Sequence, residues 1–133
     1  HATAFAQAGR EIPPLGTTHA DHFRGAVPVA RPLTEAEVSG EYELNTGRVI
    51  AECFRHRHID PMSVPAVLVH GHGPFAWGNS VEHALENAIA LEFCAQIAAL
   101  TWQLDPPAST IPQFLLDRHF LRKHGPGASY GQP

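Results

Sequence analysis

Val81, Ala84, Leu85, Ala88, Ile89, Ile97 and Leu100 recur at helical spacing behind Ser80, a residue type that caps helix N-termini. The pattern predicts a helix running to about Gln103, with the broad apolar face of a packed element. Just upstream, residues 64 to 72 form a compact valine-rich run after the turn formers Asp60 and Pro61, and so short a run suits a buried strand better than a helix. A long packed helix beside a buried strand restricts the chain to a mixed α and β architecture.

The flanking segments fit that frame. Residues 9 to 33 are punctuated by Gly9, Pro13, Pro14, Gly16, Gly25, Pro28 and Pro32, which exclude a long helix and leave room for short strands near residues 17 to 23 and 26 to 30. Thr34 followed by Glu37 is a capping-box signature, and Val38, Tyr42, Val49, Cys53 and Phe54 then recur at roughly helical spacing. A helix over about residues 35 to 57 is expected, weakest at residues 45 to 47. Pro112 and Gly125 bracket a shorter helix. The tail beyond it, residues 125 to 133, has too little apolar surface to order itself and carries one conspicuous aromatic, Tyr130.

The 133 residues are 44% apolar, enough for the core of one domain, and the net charge of -4 gives no electrostatic reason to expect nucleic acid or an anionic membrane as partner. No run in the sequence reads as a membrane-spanning segment or a signal peptide, so the expectation is a soluble, cytoplasmic protein. Cys53 and Cys94 lie in helical patterns without the spacing of a metal or redox pair, and are expected reduced and buried. Ten histidines are the compositional outlier, and histidine is both a common metal ligand and the usual proton carrier near neutral pH.

Four places carry candidate chemistry. His70 and His72 end the expected strand and, two residues apart, lie on one of its faces, which is compatible with metal ligation and also with hydrogen-bonded structural roles. Thr17, Thr18, His19 and Asp21 offer hydroxyls, an imidazole and a carboxylate within five residues, a palette for acid–base work that polar turns also use. His119 lies among Arg118, Arg122, Lys123 and His124, which also read as a solvated cationic helix end. Tyr130, by local composition, is an exposed aromatic.

Taken together and in order, GTTHAD (16–21), LVHGHGPFAWG (68–78), LLDRHFLRKHG (115–125) and YGQ (130–132) resemble the L-ribulose-5-phosphate 4-epimerase branch of the class II aldolase and adducin family. The similarity extends through the intervening TEAEVSGEYELNTGRVI (34–50) and covers nearly the whole chain. It implies a three-layer α/β/α fold around a mainly antiparallel sheet, of which this chain would be an N-terminally incomplete portion, residues 1 to 133 being the C-terminal part of one domain with residues 124 to 133 as a catalytic tail.

The resemblance further implies a divalent metal, usually zinc, held by three histidines. One is His72; the other two belong to a His-x-His pair expected just before His1, which would be the pair's downstream flank and not a ligand. The phosphate-binding loop is expected upstream as well. The implied reaction interconverts L-ribulose 5-phosphate and D-xylulose 5-phosphate by retro-aldol cleavage and re-addition through a metal-stabilised enediolate. Asp21 and Tyr130 match the proton acceptor and donor, His119 assists, and Thr17 and Glu43 match substrate-side or supporting positions. In the family the active sites lie between the subunits of a homotetramer, with the tail tyrosine supplied by a neighbour. A class II aldolase acting on another sugar phosphate, and a non-catalytic adducin-like assembly domain, are the competing readings.

Overall fold

The computed structural model describes residues 1–106 and 108–130. Its elements are α1 (Ala2–Ala8), α2 (Thr17–Ala20), β1 (Val29–Ala30), α3 (Glu35–Ser39), α4 (Tyr42–Arg57), β2 (Ala66–Val69), β3 (Gly73–Ala76), α5 (Val81–Leu104) and α6 (Gln113–His124). The strands form a sheet in the order β1-β2-β3, parallel between β1 and β2 and antiparallel between β2 and β3. A further antiparallel bridge joins Ile12 to Val27.

β2 is central, and its alternation divides the core. Ala66 and Leu68 face a cluster with Phe5 and Ala6 of α1 and Leu91, Cys94 and Ala95 of α5, whereas Val67 and Val69 face Val49 and Phe54 of α4. Every residue of β2 is buried, which accounts for its continuous apolar run. The layers are therefore α1 and α5, the sheet, and α4. Leu68 is fully buried, and truncating such a leucine to alanine costs about 2–5 kcal/mol.

α5 begins where Ser80 predicts, with His83 N–H donating to Ser80 Oγ at 3.2 Å. The face it buries is made of Asn87, Ala90, Leu91, Cys94, Ala95 and Ala98, mostly small side chains that allow close approach to α1 and the sheet. The larger Val81, Leu85, Ile89, Phe93, Ile97, Leu100 and Leu104 point outward, which corrects the sequence expectation: the residues read as the packed face are exposed, and α5 packs through its small-residue face instead. With 24 residues, α5 is long and apolar enough to cross a membrane by length and composition, contrary to the sequence expectation, and it is also a core helix of this fold.

Three other expectations are corrected. Residues 17 to 20 form a single helical turn, not a strand, because Ala20, Asp21 and Phe23 N–H donate back to Gly16, Thr17 and His19 carbonyls. The helix over residues 35 to 57 is two helices, broken at Gly40 and Glu41: Gly40 is a poor helix former, and the Asn45 side chain caps α3 by donating to Glu37 O at 3.0 Å. The weakness expected at residues 45 to 47 does not break α4. Thr34 and Glu37 do form the reciprocal capping box.

The third correction concerns His70 and His72. β2 ends at Val69, and Gly71 adopts φ 74, so the two imidazoles lie in a turn and share no strand face. His70 packs over Gly9, where φ is 62 and an added Cβ would meet the His70 ring at 3.1 Å. His72 instead stacks on Phe75, with ring centroids 5.2 Å apart, and lies 6.4 Å from the Tyr42 ring.

Candidate active site

α2 places Thr17 and Asp21 one turn apart, with Asp21 N–H donating to Thr17 O at 2.9 Å. α6 packs against α2 through buried Leu116 and Phe120, and on its polar side His119 and Arg122, separated by about one turn, both reach Asp21. His119 Nδ1 lies 3.0 Å from Asp21 Oδ1, and Arg122 Nη2 lies 3.0 and 3.2 Å from Oδ1 and Oδ2. An ionised carboxylate only accepts, so the contact places a proton on His119 Nδ1 and leaves the outer nitrogen unengaged by Asp21. His124 Nε2 lies 2.9 Å from Asp21 O, and Arg24 Nε donates to Asp117 at 2.8 Å, further pinning the two helices.

Tyr130 joins this group. The tail does not await an outside surface: Ser129 and Tyr130 N–H donate to Arg122 O at 3.0 and 3.2 Å, and the Tyr130 ring lies 4.3 Å from the Arg122 guanidinium carbon. Tyr130 is about half exposed, at 54%, beside a cavity of about 760 Å³ lined also by Arg118, Ser129 and Gly127. Gly131 and Gln132 of the YGQ motif lie outside the described residues.

Beneath the group, His19 is buried and set at 2.6 Å from Gly25 O, and desolvation pushes its pKa down to about 4. It is a neutral structural histidine. His22 is held below its ordinary value, first by burial and then by the charge of Lys123.

The remaining candidates lie elsewhere. Arg24 N–H donates to Ser63 O just before β2, whereas His72 follows the strand's far end, so the four residues of β2, about 13 Å of extended chain, lie between them. Glu43, in the first turn of α4, is exposed and follows Tyr42, the neighbour of His72. The structure thus brings Asp21, His119 and Tyr130 together around Arg122, with Thr17 joined to Asp21 through its carbonyl, whereas Glu43 follows Tyr42, whose ring is the one that lies 6.4 Å from His72.

His72 is exposed at the tip of a turn, which fits one corner of a metal site. Among the described residues no group of three or more His, Cys, Asp or Glu side chains is arranged to hold a metal ion. His1 Nδ1 lies 2.8 Å from Glu92 Oε1, and the other oxygen of Glu92 accepts from Ala2 N–H.

Sequence reasoning treated Arg122 as part of a solvated cationic face and missed its contacts. The available signal was its spacing of three from His119, which puts both on one side of α6.

The family model for the class II aldolase and adducin N-terminal domain matches residues 1–99. The chain belongs to the class II aldolase and adducin family. Among relatives of this family member are the L-ribulose-5-phosphate 4-epimerases UlaF of Salmonella paratyphi B, Salmonella paratyphi C and Salmonella choleraesuis, each 50% identical over 132 residues. Those matches cover 99% of this chain and 57% of the relatives, so the chain spans a little over half of their length. A solved L-fuculose 1-phosphate aldolase superposes with TM-score 0.65 at 20% identity, covering 89% of this chain and 49% of that one. At that identity the likeness establishes the class II aldolase fold, in agreement with the α/β/α layering.

Proposed function

We propose that the complete protein is a metal-dependent 4-epimerase of a pentulose phosphate, interconverting L-ribulose 5-phosphate and D-xylulose 5-phosphate. The observation that carries the reading is the assembly of Asp21, His119 and Tyr130 into one polar group, in a chain 50% identical to epimerases over nearly all its length. The chemistry requires proton exchange at the hydroxyl of carbon 4 on both faces of the intermediate aldehyde. One group takes that proton as the bond between carbons 3 and 4 breaks, its electrons passing to carbon 3 to give the enediolate of dihydroxyacetone beside glycolaldehyde phosphate. After the aldehyde rotates, carbon 3 re-forms the bond on the other face and a second group returns a proton to the oxygen.

Asp21 and Tyr130 are the two proton-exchanging groups in this reading, and His119 orients Asp21 and offers its outer nitrogen to the substrate side. Thr17 supports the Asp21 backbone, and Glu43 stands by His72 on the substrate side. A divalent ion, zinc in our reading, would supply Lewis-acid polarisation of the ketose carbonyl when bound, with His72 as this chain's ligand and further ligands from length that the relatives have and this chain does not span.

The separation of the Asp21 group from His72 by the length of β2 supports an active site completed between subunits of a homotetramer. One chain brings Asp21, His119 and Tyr130 together; another brings Glu43 and His72. The chain acts, in this reading, as the C-terminal part of one such domain in a cytoplasmic sugar-phosphate enzyme.

Product analysis tests it. Incubating the complete protein with L-ribulose 5-phosphate should yield D-xylulose 5-phosphate with no accumulation of free glycolaldehyde phosphate. Release of the two fragments without epimer would identify an aldolase, and no turnover of any pentulose or other sugar phosphate would favour an adducin-like role.

A further inference from the structure

We infer that Arg122 is the positioning residue that holds Asp21 and Tyr130 in a fixed relation; the inference rests on the epimerase reading and assigns it a residue that the sequence motifs leave without a role. Its guanidinium spans the pair. Nη2 donates to both oxygens of Asp21 at 3.0 and 3.2 Å, while the guanidinium carbon lies 4.3 Å from the centre of the Tyr130 ring. Its carbonyl also accepts the Ser129 and Tyr130 amides, so Arg122 touches both the backbone and the ring of the tail, at shorter range than Lys123, whose Nζ lies 5.9 Å from the ring centre.

A structural explanation, that Arg122 merely ties α6 to α2, is weaker. That packing already has His119 and His124 on Asp21, Arg24 on Asp117, and buried Leu116 and Phe120. Arg122 also keeps its Nε buried with no hydrogen-bond partner among the described residues, an arrangement that a residue chosen only for pairing would avoid. Planarity is what the position uses: a guanidinium can bond a carboxylate at its edge and lie against an aromatic ring with its face, whereas an ammonium is a point charge.

The test is a set of variants in the complete protein. Arg122→Met keeps the stem and should lower kcat about 10- to 100-fold with KM changed less than about threefold, and Arg122→Lys should recover only part of the loss. In a Tyr130→Phe background the same substitution should cost less than about threefold more, because the two residues act as one unit. An activity-independent readout comes from Tyr130 itself, whose fluorine resonance is assigned by its loss in Tyr130→Phe, as that of Tyr42 is by its loss in Tyr42→Phe. With 3-fluorotyrosine incorporated, Arg122→Met should shift the fluorine resonance lost in Tyr130→Phe and leave the Tyr42 resonance in place.

Full activity of Arg122→Met, an additive penalty in the Tyr130→Phe background, or an unmoved Tyr130 resonance would each overturn the inference. If Asp21→Asn and Tyr130→Phe are themselves as active as the parent, the epimerase reading fails and takes the inference with it. If those two are impaired and Arg122→Met is not, only the inference fails.

Discussion

Asp21 Oδ1 and His119 Nδ1 meet at 3.0 Å although 98 positions separate them in the chain. The contact exists because a single turn of helix sets Asp21 beside α6, where burial of Leu116 and Phe120 brings the adjoining His119 within reach of it. With the Nδ1 proton committed to the carboxylate, the histidine is fixed in one tautomer and one orientation.

Asp21→Asn should therefore lower turnover by about 10²- to 10⁴-fold, the range for losing a positioned acid or base. The fold should persist, since the amide can still accept from Arg122. Steady-state kinetics with circular dichroism checks this, and retention of more than a third of the parental kcat would remove Asp21 from the chemistry.

Stability should fall between pH 6.5 and 4.5 because of His19. Its folded pKa is about 4 against an ordinary 6.5, so above pH 6.5 both folded and unfolded states are neutral and the residue contributes nothing to the pH dependence. As pH falls, the unfolded chain takes a proton that the buried imidazole refuses, and the loss reaches about 3 kcal/mol near pH 4. His22, also lowered by burial, acts in the same direction. Carboxylates such as Glu37, held at about 2 chiefly by its Arg31 bond, release their contribution only below the ordinary 4.5 and leave this window clear. Denaturant titrations should show the slope in the parent and a flatter one in His19→Gln; equal slopes would contradict the assignment.

Burial pushes the Cys94 thiol up to about 12 and raises Cys53 above its ordinary value. Of the two, Cys94 is buried and Cys53 half-buried, with its Sγ 3.9 Å from Val29 O. Reaction with a thiol reagent at pH 8, followed by peptide mapping, should find Cys94 unmodified in the native protein and both residues modified after denaturation. Rapid native modification of Cys94 would mean that the α5 core face is not packed as described.

Much of this architecture is legible in the chain. β2, α5 and α6 announce themselves because each is long or apolar enough for its period to emerge, and Thr34 with Glu37 marks a helix start that is found. α2 is not legible, because four residues are too few to show a helical period among turn formers. Nor is the separation of His70 from His72, which depends on the left-handed conformation at Gly71. The motifs point to Asp21, His119 and Tyr130 as site residues, whereas the role of Arg122 appears only when the tail folds back onto α6. Tail composition alone lacks the apolar surface for docking; the anchoring includes the Arg122 and Lys123 cations over the Tyr130 ring and the backbone hydrogen bonds to Arg122 O.

The central claim is that Asp21 and Tyr130 serve a site from one chain while His72 serves it from another, and complementation in mixed tetramers measures it most directly. Complete proteins carrying His72→Ala and Tyr130→Phe, unfolded together and reassembled, should regain activity well above either parent, since about a quarter of interfaces would pair an intact His72 with an intact acid–base group. Asp21→Asn mixed with Tyr130→Phe should regain nothing, because no chain then carries both groups. Recovery in the second mixture and none in the first, with co-assembly confirmed for both, would contradict the account.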